Sequence, residues 1–249
     1  MSAEPTRAEV CVVACAEAWR GDGAILASPM GLIPTLGARL AQLTFAPDLL
    51  LTDGEAHLVA PGGVIEGWLP YRSVFTMVAR GHRHVMMGAS QLDKFGNQNI
   101  SAIGPDHRRP KAQLIGVRGA PGNTINHPTS YWIANHSAKV FVEQVDVVSG
   151  IGYDRARAVG KAARFHEIRR VVTNLAVFDF ATPDHRMRIR SVHPGVSVDE
   201  VVAATGFVLV GTDDPEPTPE PDAEALRLIR EVLDPKNTRE REVPSAPKD

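Results

Sequence analysis

Two carboxylates, separated by one glycine, stand at a point where an apolar run ends. Asp53 and Glu55 flank Gly54 directly after the leucines at 49–51. A carboxylate at the end of a buried strand can activate water or act as a nucleophile. Asp-Gly is equally a common turn dipeptide. Asp53 is therefore a candidate base or water-orienting group, and a plain turn residue is the alternative.

A second polar segment, residues 88–99, follows another apolar run. Gly88 carries no side chain and would let a ligand approach the end of the strand closely. Gly96 predicts a hairpin turn with a positive φ angle. Asn97 and Asn99 are candidate substrate-binding residues through their side-chain amides, and stabilisation of the turn is an equally good interpretation.

A third segment, residues 119–123, has the sequence Gly-Ala-Pro-Gly-Asn after a predicted strand. Four of its five residues offer a backbone N–H, and little side-chain bulk surrounds them. Such a loop can hold an oxyanion or a thioester carbonyl. The candidate substrate-binding residues here are Gly119, Ala120, Gly122 and Asn123.

The elements that must position these segments alternate between strand and helix. Thr6, with Glu9 three residues later, predicts a capping box and a helix up to Trp19. Short apolar strands and amphipathic helices then predict an α/β fold with a mixed, largely parallel sheet flanked by helices. Strands are predicted at 24–27, 49–51, 84–87, 113–117, 139–142, 170–180 and 186–192, and helices at 32–43, 73–80 and 197–205.

The composition changes after residue 210. Prolines occupy every second position from 215 to 221, which predicts a stiff extended linker over residues 211–222. A short helix is predicted at 223–233, and the polar end from 237 onwards is predicted to be disordered. Residues 1–210 are thus expected to form one α/β domain, with a peripheral linker, helix and tail over 211–249.

Composition limits the classes of function. Of the 249 residues, 43% are hydrophobic and 22% charged, which is typical of a globular chain. The net charge of −2 and the 6% aromatic content argue against nucleic-acid binding. No apolar run reaches the roughly 20 residues that span a bilayer, and no signal peptide is recognisable. Cys11 and Cys15 fit a reducing compartment, so we expect a cytoplasmic protein without membrane contact.

Several catalytic motifs are absent from the sequence. It contains no Walker loop, no His-Glu-x-x-His, no Gly-x-Ser-x-Gly and no Gly-x-Gly-x-x-Gly. His82 and His84 could bind a metal from one strand, but no nearby carboxylate or cysteine completes a ligand set. We therefore expect no metal.

The order of these segments resembles a known family. Residues 88–99, with the pattern Gly-Ala-x-Gln-x-Asp-x-Phe-Gly-Asn-x-Asn, closely resemble a signature of the β subunits of class I CoA-transferases of the glutaconate type. Residues 171–178 and 193–206 look like later elements of the same family, and the resemblance covers about residues 21–210. It implies the fold shared by NagB, RpiA and the CoA-transferases, a CoA-transferase-like α subunit as partner, and an α2β2 heterotetramer.

One position departs from the transferases. Their nucleophilic glutamate lies in a Ser-Glu-Asn/Ser-Gly motif, and ungapped matching places Asp53 there, with Glu55 two residues further on. An error of about 1 Å in an attacking group costs on the order of a hundredfold in rate. This combination is similar to the β subunits of actinobacterial steroid ring-opening hydrolases, which keep the fold and lack the glutamate.

The resemblance implies hydrolytic, retro-Claisen C–C cleavage of a steroid-derived CoA thioester in cholesterol catabolism. The principal catalytic carboxylate would lie on the α subunit, and CoA would be part of the substrate rather than a separate cofactor. Two alternatives stay open. One is a true CoA-transferase subunit that moves CoA between carboxylic acids through Asp53 or Glu55. The other is a non-catalytic partner subunit that binds acyl-CoA.

Overall fold

The computed structural model describes residues 4–52, 57–68, 70, 73, 76 and 82–244. Helix α1 (Arg7–Glu17) begins with the predicted capping box, because Thr6 and Glu9 accept hydrogen bonds from each other's backbone N–H groups. Helix α2 (Leu32–Leu43) has the predicted bounds. The two helices pack closely at Gly37, where a Cβ would lie only 2.7 Å from the Cβ of Cys15.

The described residues form fourteen strands. They are β1 (Leu26–Pro29), β2 (Leu50–Thr52), β3 (His57–Val59), β4 (Ile65–Trp68), β5 (Arg83–Met87), β6 (Gln91–Leu92), β7 (Gln98–Asn99), β8 (Ala102–Ile103), β9 (Ala112–Gln113), β10 (Pro128–Ile133), β11 (Glu167–Thr173), β12 (Ala176–Asp179), β13 (Arg188–Val192) and β14 (Glu216–Pro217). The further helices are α3 (Ala120–Asn126), α4 (Tyr153–Val159), α5 (Val198–Ala203) and α6 (Ala223–Arg227).

Ten strands make one mixed sheet in the order β14-β13-β12-β11-β10-β5-β1-β2-β3-β4. Strands β2, β1, β5, β10 and β11 are parallel to one another in the centre, and antiparallel hairpins follow on both sides. This arrangement confirms the predicted α/β class with a mixed, largely parallel sheet. Its parallel centre places the carboxyl ends of β1, β2 and β5 at one edge.

Each face of the sheet has its own apolar core, because neighbouring residues of a strand point to opposite faces. On β5, Met86 packs against α1 and α2 together with Trp19 and Leu51. On the opposite face, Val85 packs with Phe141 and the later strands. A polar side chain buried on that second face, within an apolar core, must find hydrogen-bond partners there.

Some strand predictions are wrong. The predicted strand at 170–180 is the hairpin β11–β12, because the Thr173 hydroxyl accepts hydrogen bonds from the N–H groups of Leu175 and Ala176 and turns the chain. The predicted strand at 113–117 is reduced to Ala112–Gln113. The one at 139–142 is a turn followed by a single β-bridge between Phe141 and Leu92; in the turn the Val140 N–H donates to the carbonyl of Ser137. The predicted helix at 73–80 lies outside the described residues except for Ser73 and Thr76.

The segment after residue 210 packs on the body of the protein. Part of the predicted linker is β14, which pairs with β13, and Thr218 is buried against Ser191. The predicted helix at 223–233 is confirmed, as α6 and a following π-helical turn (Leu228–Leu233). The prediction of disorder is wrong for residues 237–244, which contain a 3₁₀ turn and the buried side chain of Val243. The boundary at residue 210 stays a prediction.

A buried acid joins the two ends of the chain. The Glu9 carboxylate accepts hydrogen bonds from Arg230 and Arg239, each with a shortest N–O distance of 2.7 Å, and from the Thr6 N–H. Arg239 also binds Asp234. Burial alone would raise the pKa of Glu9, but the hydrogen bonds from Arg230, Thr6 and Arg239 outweigh it and hold the pKa below its usual value. We call Glu9, Arg230, Arg239 and Asp234 the Glu9 clamp.

We expect Glu9→Gln to lower the stability of the protein at pH 7 by about 3–5 kcal/mol, because it breaks a buried ion network by removing one partner. Since the pKa of Glu9 is depressed on folding, its contribution is present above the unfolded pKa of about 4.3 and is lost as the pH falls through the lower folded value. Thermal unfolding of wild type and Glu9→Gln at pH 7, and then at falling pH through the folded pKa of Glu9, measures both effects.

The matched control for Glu9→Gln is Arg227→Gln on the same C-terminal segment. Arg227 binds Glu224 at 2.7 Å in an exposed pair, and such pairs contribute about 0–1 kcal/mol. Equal melting temperatures for Glu9→Gln and Arg227→Gln at pH 7 would contradict the clamp.

Candidate active site

The predicted site begins where β2 ends. Thr52 is its last residue, and the Thr52 hydroxyl donates to Ser28 Oγ of β1 at 3.2 Å. Asp53 and Glu55, the two carboxylates predicted from the sequence, lie outside the described residues. A role for Asp53 in chemistry therefore stays a prediction. Asp53 directly follows Thr52, the last residue of β2.

Residues 88–99 form the predicted hairpin, made of β6 and β7. The Asp93 carboxylate closes it by accepting the N–H groups of Phe95 and Asn97, both at 3.0 Å. Gly96 has φ +82°, and a Cβ there would lie 2.5 Å from the side chain of Ile168. The prediction of a glycine with positive φ is confirmed.

The amide of Asn97 is engaged within the chain. It donates to Asp93 and, at 2.9 Å, to Asp154, and it accepts the Gly152 N–H at 2.7 Å. A Cβ on Gly152 would clash with the backbone of Phe95, so this contact also fixes α4 next to the hairpin. The geometry favours the turn-stabilising interpretation of Asn97.

The amide of Asn99 is engaged in the same way. It donates to Gln91 at 2.7 Å and to the Ala102 carbonyl at 2.8 Å, and it accepts the Ser101 N–H at 2.9 Å. The side chain is fully buried. Substrate contact by Asn97 or Asn99 stays a prediction, and their hydrogen bonds favour the structural alternative.

Residues 119–123 do not form the predicted loop, because a helix begins here. Gly119 is the N-cap of α3, and Ala120, Gly122 and Asn123 lie in its first turns. The Asn123 N–H already donates to the Gly119 carbonyl at 2.9 Å. Small residues and a proline at the second helical position are compatible with a helix start. Their role as a cradle for an oxyanion stays a prediction.

Asn123 is tied to a polar cluster on the sheet. Its side-chain carbonyl accepts from Arg83 Nη1 at 3.1 Å, and its amide donates to Met87 Sδ at 3.1 Å. Arg83 Nε donates to Ser28 Oγ at 2.8 Å. We call Ser28, Thr52, Arg83 and Asn123 the Arg83 cluster. It brings together β1, β2, β5 and α3.

The cluster lies level with the end of β2. The register pairs Leu26 with Arg83 and Ser28 with Val85, so the Arg83 side chain reaches two residues along β5 to meet Ser28. All four members are buried, and burial lowers the pKa of Arg83 to about 10, so the guanidinium stays charged at neutral pH. A ligand oxygen placed here would meet a cation beside Thr52, the last residue of β2.

The sequence analysis missed Arg83. A signal was available in the sequence. Arg83 is the first residue of the segment 83–87, which is otherwise apolar except for His84. A charged residue inside such a strand must be hydrogen-bonded or paired when it is buried. Its partners Ser28 and Asn123 lie on two other elements, however, and spacing alone does not identify them.

His84 belongs to a different network. It lies between Asp22, at 2.7 Å from Nδ1, and Ser130 Oγ, at 2.8 Å from Nε2, which resembles the order of a catalytic triad. All three side chains are fully buried, and Arg169 also pairs with Asp22. Burial lowers the pKa of His84 to about 3. A neutral, fully buried imidazole with both nitrogens engaged favours a structural role for this network.

The part of the chain that the structure describes holds no group of three or more His, Cys, Asp or Glu side chains placed to bind a metal ion. None of its helices is long and apolar enough to cross a membrane. Both cysteines, Cys11 and Cys15, are free thiols in the core.

Large apolar side chains are exposed at the β4 end of the sheet. Ile65 and Trp68 on β4 are 60% and 65% exposed, and Leu50 on β2 is 41% exposed. Ile115 and Val117, which precede α3, are exposed as well. Exposed apolar residues in such number are typical of a surface that another chain covers.

A comparison with protein-family models agrees with the family that the fold and the 88–99 motif indicate. The family model for coenzyme A transferase matches residues 72–204, which include β5, the 88–99 hairpin and α3. The chain belongs to the coenzyme A transferase family, as its resemblance to the β subunits predicts.

Individual relatives narrow the comparison. The chain is 56% identical over 246 residues to the cholesterol ring-cleaving hydrolase IpdB subunit of Rhodococcus jostii, covering 96% of this chain and 97% of the relative. The crystal structure of IpdAB from the same organism matches with a TM-score of 0.91 and 55% identity, over 97% of this chain and 99% of that one. Glutaconate coenzyme A-transferase from Acidaminococcus fermentans shares the fold, with a TM-score of 0.81 and 22% identity, over 93% of this chain and 96% of that one.

Proposed function

We propose that this chain is the β-type subunit of a hydrolase that opens a cholesterol-derived ring in a CoA thioester. The observation that carries the proposal is the 56% identity to the IpdB subunit of a cholesterol ring-cleaving hydrolase over almost the whole of both chains. The departure at Asp53 from the transferase glutamate supports it, because hydrolysis needs no covalent intermediate on the enzyme.

The reaction is a retro-Claisen hydrolysis. The oxygen of water forms a bond to a ring carbonyl carbon, which becomes tetrahedral and carries an oxyanion. The adjacent C–C bond then breaks, its electron pair passes to the neighbouring carbon, and that carbon takes up a proton. The base takes a proton from the water, the former carbonyl carbon becomes a carboxylate within the opened product, and the thioester remains intact. The site therefore needs a carboxylate to activate water and donors for the oxyanion.

Two parts of this chain fit those needs, and the second subunit supplies a third. Asp53 is the proposed water-orienting carboxylate at the end of β2. The backbone of Gly119, Ala120, Gly122 and Asn123 at the start of α3 is the proposed contact for the thioester. The principal catalytic carboxylate is assigned to the second subunit. The enzyme acts without a separate cofactor, because CoA is part of the substrate.

The partner is a second subunit of similar fold, in an α2β2 assembly located in the cytoplasm. The exposed side chains of Ile65 and Trp68 support a protein partner at the β4 end of the sheet. Free, buried Cys11 and Cys15 fit a reducing compartment.

The test uses the chain co-expressed with its α subunit. The substrate is a CoA thioester whose acyl group carries a steroid-derived ring with a ketone, and the reaction runs in water enriched in oxygen-18. We expect one labelled oxygen in the new carboxylate and no exchange of isotope between free CoA and the thioester. A transferase would instead exchange free CoA rapidly through an enzyme anhydride, and that result would replace the hydrolase with the alternative function.

A further inference from the structure

Arg83 is a buried cation with only neutral partners among the residues that the structure describes. Its side chain is 6% exposed, and it donates to the hydroxyl of Ser28 and to the amide carbonyl of Asn123. Arg239 is buried to a similar extent, at 4% exposed, but it binds the carboxylates of Glu9 and Asp234. Both arginines are therefore buried, but only the charge of Arg239 is neutralised by carboxylates of the described residues.

An unpaired buried charge is costly unless something compensates for it when the protein functions. A guanidinium carries five N–H donors in a planar fork, and the two hydrogen bonds of Arg83 use two of them. The remaining donors have no acceptor within the described part of the chain. A fork of this kind is suited to the two oxygens of a carboxylate or of a tetrahedral oxyanion.

We propose that Arg83 binds the oxyanion that forms when water adds to the ring carbonyl, and then the carboxylate into which it collapses. This inference rests on the proposed function. Ser28 and Asn123 hold the guanidinium level with Thr52, one residue before Asp53. The chain thus supplies a cation for the negative charge that develops on the substrate oxygen.

The test compares the wild-type complex with Arg83→Met and Arg83→Lys. In Arg83→Met we expect turnover to fall by about 10²–10³-fold, the loss typical of one removed oxyanion donor. We expect the melting temperature of the substrate-free complex to stay within about 5 °C of wild type, because removing a buried charge offsets the lost hydrogen bonds. The ring-opened product, a carboxylate, should raise the melting temperature of the wild type and not that of Arg83→Met.

Arg83→Lys keeps the charge and loses the fork, so we expect it to fold and to lose turnover by at least about tenfold. If Arg83→Met gives too little protein, turnover and product binding are measured on Arg83→Lys instead. The matched control is Arg186→Gln, which removes an exposed arginine paired with Asp184 and should retain wild-type turnover and product binding.

Three results would overturn the inference. One is a large fall in melting temperature with unchanged turnover per folded complex, which would make Arg83 purely structural. Another is loss of the α subunit from Arg83→Met during purification, which would make a carboxylate of the partner the missing group. Wild-type turnover in both Arg83 variants would also reject it. A wild-type complex that opens no ring would reject the proposed function itself, and the inference would fall with it.

Discussion

A chain that ends at Val210 is expected to lose its native fold. The segment beyond it contributes five side chains to the cores, each 8% exposed or less: Leu226, Leu228, Ile229, Leu233 and Val243. Burial of each is worth about 1.5–3 kcal/mol, so together they supply about 10 kcal/mol, which equals the whole stability of an ordinary domain. Truncation would also leave the buried Glu9 carboxylate without its arginine partners.

The measurement is the solubility and thermal unfolding of the truncated chain, co-expressed with its α subunit. The control is a chain that ends at Pro244, which retains every contact described above. A cooperative transition of the shorter chain within about 5 °C of wild type would contradict this prediction, because about 1 kcal/mol already moves the melting temperature by 2–4 °C in a protein of this size. It would restore the sequence-based interpretation of a peripheral tail.

Asp53→Asn is expected to lower turnover by about 10²–10⁴-fold with little change in KM, as for the loss of a group that orients or deprotonates water. The substitution removes the charge and is compatible with the predicted turn, because Asn-Gly turns as readily as Asp-Gly. Steady-state kinetics of the co-expressed complex measure the effect, and the matched control is Glu55→Gln.

Full activity of Asp53→Asn would assign Asp53 to the turn alone. Loss in Glu55→Gln rather than in Asp53→Asn would move the water-orienting role two residues along the chain. Asp53→Glu provides a further check, since a hydrolase site should not become an efficient transferase when it receives the longer side chain.

Local signals in the sequence predicted the elements that local interactions decide. The capping box of Thr6 and Glu9 and the bounds of α2 both follow from neighbouring residues, and the structure confirms them. The hairpin turn within the family motif at 88–99 was equally predictable, because it depends on Asp93 and Gly96, which belong to the motif itself.

Contacts between distant residues decided what the sequence could not predict. The amide of Asn97 is engaged by Asp154 and Gly152, more than fifty residues away. The start of α3 looked like a glycine-rich loop because glycine and proline are also common where helices begin. Arg83 gained its place in the site from Ser28 and Asn123, which lie on other elements.

The Glu9 clamp affects how the chain is made as well as how it holds together. Arg230 and Arg239 follow Glu9 by 221 and 230 residues, so the first helix is synthesised long before its charged partners exist. Until those last residues emerge from the ribosome, the Glu9 carboxylate has neither of its arginine partners. We therefore expect a nascent or prematurely terminated chain to pack its first helix less stably than the full chain, because that packing would bury an uncompensated charge.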